Sequence, residues 1–301
     1  MSGEPVTRTL IPHLDDVGMC HGANVAFDEL TRDGFISCGS VMVPCPWFPE
    51  ASALAVRRPD LDVGVHLTLT SEWREYRWRP LSTVSAASGL IDADGYFWRS
   101  RRALRRHVVV EAAEHEMRCQ IDRALSAGID VTHLDAHMGA ALIPELFDVY
   151  VKLGCEYRLP VLLPRAVEEC FGVLAELSAP EQEVYRDAHA RAGAADPIRI
   201  DHLRTSRAAL GQPAPESYRN MLERLPAGVT YIALHCTAPG DFETISPATA
   251  HHRTDEYHIF RGPDFRDWAA SKGFTLSGMR ALRDRLRSRA NPADRVSARA
   301  G

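Results

Sequence analysis

Apolar residues along this chain recur with two periods, two residues apart in short runs and three to four apart in longer ones, which predicts alternating strands and helices. The first apolar run ends in Leu14-Asp15-Asp16-Val17-Gly18, and a helical pattern from Asn24 to Leu30 follows. Side chains alternate faces along a strand, so adjacent acids serve one site only where the strand ends and the chain turns. Gly18 permits such a turn. Further strands are expected over Ile36–Val43 and Leu61–Leu69. In the latter, Val63, Val65, Leu67 and Leu69 share one face, while Gly64, His66, Thr68 and Thr70 share the other. A lone His on such a face reads by itself as a satisfied core position.

A helix over 49–58 separates these two strands. Residues 71–100 hold Trp73, Tyr76, Trp78, Phe97 and Trp98 among polar residues with weak periodicity, and form a long excursion. Its aromatics either pack the excursion onto the body or stack on a sugar ring, with Trp73, Trp78 and Trp98 as the substrate-binding candidates. A long helix is expected over Arg101–Ala127, ended by Gly128. The run Ile129–Gly139 reads as a strand with His133, Asp135 and His137 on one face. Three ionisable groups on an inward face are costly unless they bind something or satisfy one another.

A helix over Pro144–Leu153 comes next, then a strand over Glu156–Pro164 with Arg158 at its start, and helical structure over 165–193. A weak strand over Pro197–His202, a helix over 215–225 and a strong strand over Gly228–His235 follow. Helices over 262–271 and 277–289 close the pattern, and residues 291–301 read as a disordered tail. No repeat or linker divides the chain, so residues 1–290 are expected to form one α/β domain, a barrel or a doubly wound sheet.

Composition narrows the function. The chain has 301 residues, 45% hydrophobic and 25% charged, with a formal net charge of −5. That is an ordinary globule with no basic field, so no nucleic-acid partner is expected. Its seven cysteines are scattered without a Cys-x-x-Cys pair, which suits reduced thiols in the cytoplasm. No signal peptide and no membrane span are expected.

Asp15, Asp16, His66, His137 and His235 each fall at or near the carboxyl end of an expected strand, where α/β folds collect ligands. Two imidazoles and a carboxylate with open positions suit a divalent metal that activates water.

The motifs LDDVG (14–18) with GAN (22–24), GVHLTLT (64–70), THLDAH (132–137) and YRLP (157–160), and a strand ending in His235, occur in one order between residues 8 and about 240. In these the chain resembles the YdjC-like (ChbG-type) carbohydrate deacetylases, relatives of the NodB-type polysaccharide deacetylases. The resemblance implies an irregular (β/α) barrel and one divalent ion, Mg2+ or Zn2+, held by Asp16, His66 and His137. It also implies Asp15 as general base, Arg158 holding its carboxylate, and His235 on the other side of the scissile amide.

His133 and Asp135 are candidates for orienting a ligand imidazole through its second nitrogen. The chain departs from the family at His13 (usually Asn), Ala136 (usually Ser), Met138-Gly139 (usually His-rich) and the stretch His235 to Gly240 (usually His-Pro-Gly). The expected reaction is metal-assisted removal of an N-acetyl or similar acyl group from a small carbohydrate, without the family's chito-oligosaccharide substrate being carried over. A phosphoesterase-like metal hydrolase and a non-catalytic sugar-binding barrel are the alternatives. Homodimerisation is left open.

Overall fold

The computed structural model describes residues 8–195, 200–205 and 214–289. The expected tail and residues 197–199 lie outside them. Seven strands form one sheet in which every pairing is parallel: β1 (Arg8–Val17), β2 (Cys38–Val41), β3 (Val63–Leu67), β4 (Val131–Ala136), β5 (His202–Thr205), β6 (Gly228–Leu234) and β7 (Phe274–Leu276). The order is β4-β3-β2-β1-β6-β5, with β7 paired to the first residues of β1.

The sheet curls into a half-barrel. Between its edges runs the segment 161–164, joined to β4 by the Leu134–Val161 bridge and to the β5 side by the Pro164–Ile200 bridge. Pro160 and Pro164 lack N–H donors and cannot extend these bridges into a ladder. This is why the strand expected over Glu156–Pro164 is reduced to isolated contacts. Its first residues belong instead to the helix Phe147–Tyr157.

Period-two alternation sorts the barrel staves. Leu10 and Leu14 of β1 face the covering helices and join Phe27 and Leu30 of the helix His21–Leu30. Ile11 faces inward and meets Cys38, Leu162, Leu203, Tyr231 and Met279 in a separate apolar cluster. Polar side chains lie further along the strands, among them His13, Ser40, His133 and Asp135, all at most 1% exposed. The interior is therefore layered from apolar to polar.

Several elements differ from expectation. The helix over Arg101–Ala127 is two, Arg101–Arg105 and Val110–Ser126, broken where Val109 is extended. The β-branched pair Val108-Val109 disfavours a continuous helix there. Short turns at Val167–Glu169 and Val173–Glu176 precede the helix Ala179–Ala195. The weak strand is displaced to His202–Thr205. The short β7 and the helix Ala250–Phe260 are additions. No helix among the described residues is long and apolar enough to cross a membrane.

Gly64 makes room for the polar layer. A Cβ there would lie 2.5 Å from the buried His133 ring. Gly64→Ala is expected to destabilise the protein by about 1–3 kcal/mol through overpacking, read as a lowered Tm. An unchanged Tm would show that the layer has slack.

Candidate active site

Two adjacent carboxylates reach one cavity because β1 is bulged. Its pairing with β2 runs His13–Cys38, Leu14–Gly39 and then Val17–Val41, so Asp15 and Asp16 together oppose the single residue Ser40. Asp16 takes a left-handed conformation with φ 63°. The turn expected at the strand end is thus made inside the strand, and Gly18 (φ 84°) completes it.

Asp16 is 1% exposed and has three cationic neighbours. Its Oδ1 lies 3.3 Å from His66 Nε2 and 3.1 Å from His137 Nδ1, and Arg253 Nη2 donates to Oδ2 at 2.7 Å. Burial pushes this carboxyl up, but Arg253 and His137 outweigh burial and hold it well below the usual carboxylate range.

The far nitrogen of each imidazole meets another carboxylate. His66 Nδ1 lies 2.9 Å from Asp135 Oδ1, and His137 Nε2 lies 2.9 Å from Glu72 Oε2. Burial lowers both imidazoles. Asp135 outweighs it at His66, which rises well above its usual value, and Glu72 with Asp16 lifts His137 to about 9. Ser40 and Tyr231 donate to Asp135 Oδ2 at 2.8 and 3.2 Å.

Asp16, His66 and His137 form a buried set with the spacing of metal ligands. The set fits a divalent cation: one carboxylate oxygen and two imidazole nitrogens converge, and acceptors fix the opposite nitrogens. Asp15 stands beside it, with Oδ1 2.7 Å from His13 Nδ1 and Oδ2 3.7 Å from His235 Nε2. Glu256 accepts the main-chain N–H of His235 at 2.7 Å. These groups open onto a cavity of about 440 Å³ walled further by Trp73, Phe171 and Met138.

The family model for YdjC-like protein matches residues 9–271. The chain belongs to the YdjC-like family. It is 36% identical over 234 residues to a carbohydrate deacetylase of Thermus thermophilus, across 77% of this chain and 78% of that protein. It is 28% identical over 184 residues to a chitooligosaccharide deacetylase of Yersinia enterocolitica, across 60% of this chain and 68% of that one. A solved structure described as a putative cellobiose-phosphate cleavage protein of Enterococcus faecalis has a TM-score of 0.70 at 22% identity, covering 92% of this chain and 99% of that one. At that identity the likeness is one of fold.

The structure brings together Asp15, Asp16, His66, His137, His235 and Trp73, and it places Asp135 on His66 as expected of an orienting group. Four assignments are corrected. Arg158 caps the helix Phe147–Tyr157 with φ 53°, and its Nη2 donates to the Arg287 carbonyl at 2.9 Å on the exterior. Among the described residues no site carboxylate pairs with Arg158. His133 touches neither ligand imidazole; its Nε2 lies 2.9 Å from His13 Nε2.

Trp78 is 2% exposed and donates to the Thr70 carbonyl, while Trp98 stacks on His107 at 4.1 Å and donates to the Gly89 carbonyl. Both pack the excursion onto the body. Among the residues that sequence reasoning passed over, Glu72 sits on that excursion. Arg253 lies on a helix with no apolar stripe to announce it.

The raised histidines carry a pH signature. A group with a raised folded value stabilises below its unfolded value and loses that contribution as pH rises through the folded one. For His137 the window runs from 6.5 to about 9. With metal removed, the Tm advantage of wild type over His137→Gln is expected to shrink across that window. An advantage that grows with pH would contradict the ion-pair geometry.

Proposed function

We propose that the protein is a metal-dependent hydrolase that removes N-acetyl groups from a small carbohydrate. The observation that carries this is Asp15, with one oxygen free toward the cavity, standing beside the convergent set Asp16, His66 and His137. The relatives' names support carbohydrate deacetylation as the reaction class.

Asp16 Oδ1, His66 Nε2 and His137 Nδ1 would hold the cation, and two nitrogen donors favour Zn2+ over Mg2+. When bound, such an ion supplies Lewis acidity and lowers the pKa of water. The remaining work falls to the protein. His13 occupies Asp15 Oδ1, so Oδ2 takes the proton of the attacking water.

Burial pushes the His235 imidazole below its usual value, which favours its neutral form. It can protonate the leaving amine only after receiving a proton, and Asp15 Oδ2 at 3.7 Å is the group placed to give one. Trp73, braced edge-on by Trp78 and Phe242, offers an aromatic wall to a sugar ring.

Acetate release from N-acetylated mono- and disaccharides tests the reading, with Zn2+ supplied. Activity on acetylated sugars is expected, and release of phosphate from phosphate esters in its place would overturn it. Asp15→Asn should keep the metal and lose about 10²–10⁴-fold in kcat; loss of the metal would assign Asp15 to ligation. His235→Ala should fail on the amide far more than on an activated ester of the same acyl group, whose leaving group needs little protonation. Equal losses would remove the acid role.

A further inference from the structure

Behind the cavity a second set of polar side chains is closed off from water. His13 and His133 are both 0% exposed. His13 Nδ1 meets Asp15 Oδ1 at 2.7 Å, and its Nε2 meets His133 Nε2 at 2.9 Å. His133 Nδ1 lies 2.9 Å from Thr132 Oγ1, which is itself hydrogen-bonded to Asp62 Oδ1. Tyr231 stacks on the His13 ring, with centroids 4.8 Å apart and planes 27° apart. The line crosses the barrel interior, from Asp62 at the start of β3 to Asp15 near the end of β1.

With both imidazoles neutral, counting protons gives the line one direction. A neutral imidazole donates at one nitrogen and accepts at the other. The Asp15 oxygen 2.7 Å from His13 Nδ1 is placed to accept, so Nδ1 carries the shared proton and, in a neutral ring, Nε2 accepts. His133 must then donate from Nε2 and accept at Nδ1 from the Thr132 hydroxyl. That hydroxyl has one proton, so in this order Asp62 is protonated and donates to Thr132 Oγ1, the reverse of a Thr132 bond to an ionised Asp62. Burial pushes the Asp62 carboxyl up, as this order needs. Burial pushes His133 below its ordinary value, which favours its neutral form.

We infer that His13 is a positioning residue for Asp15, locked as its Nδ1–H tautomer by the buried line His133–Thr132–Asp62. The lock pins Oδ1 of Asp15 and leaves Oδ2 as its working oxygen. The kinetic consequence rests on reading Asp15 as the base; the hydrogen-bond order does not.

The test has two arms. Imidazole 15N NMR of the metal-free wild type should show His13 protonated at Nδ1 and His133 at Nε2, both neutral, and His133→Gln should release the His13 tautomer. The opposite tautomers, or an imidazolium at either position, would overturn the lock. His13, His133 and Asp135 also have metal-ligand spacing. A second equivalent of Zn2+ that removes the shared N–H signal would therefore overturn it too.

In the kinetic arm, His13→Leu should lower kcat about 10–100-fold, the size found for partners that orient site groups, with little change in KM. His13→Gln, which keeps an N–H donor, should recover part of the loss. A folded His13→Leu with full kcat would overturn the positioning role. Failure of the wild type to release acetate would instead strike the proposed reaction, and the NMR arm would still decide the line.

Discussion

One extra residue in β1 is the constraint on which the site depends. Without the bulge, Asp15 and Asp16 would point to opposite faces, one into the barrel and one toward the helices. With it, both oppose Ser40 and both reach the cavity. A non-glycine residue in a sparsely populated conformation costs about 1–3 kcal/mol. Asp16 is held there by Arg253 from one side and by His66 and His137 from the other. Removing a partner from such a buried pair would strand the remaining charge, at about 3–5 kcal/mol.

The same economy runs through the neighbouring groups. Asp135 serves His66 with one oxygen and takes Ser40 and Tyr231 on the other. Glu72 serves His137, and His13 serves Asp15. Each of these partners sits on the far side of the group it serves, which fixes where that group's free atom points. The parallel sheet makes this possible, since the carboxyl ends of its strands converge above an apolar floor built from Ile11, Leu162 and Tyr231.

Much of this was legible in the sequence because period-two strands carry positional information. His66 alternates with apolar Val65 and Leu67, and His137 follows the β4 run, so their convergence could be read from spacing. Arg158 misled because the rule that places residues at strand ends presumes a strand. Two prolines reduce that segment to single bridges and leave Arg158 on a helix end. Arg253 was illegible for a different reason. The buried face of the helix Ala250–Phe260 includes the charged Arg253 and Glu256, so no apolar stripe marks it, and its contact with Asp16 spans 237 residues of sequence. Trp78 and Trp98 show the limit of composition: aromatics in a long excursion packed it down, and Trp73 alone of the three faces the cavity.

The central claim is that Asp16, His66 and His137 form the metal site beside Asp15. Anomalous diffraction from Zn2+-loaded crystals, recorded on either side of the zinc edge, tests it most directly. One peak within bonding distance of Asp16 Oδ1, His66 Nε2 and His137 Nδ1, with Asp15 outside the coordination sphere, is the predicted result. A peak ligated by Asp15 in place of Asp16, or zinc found only away from these three residues, would contradict it.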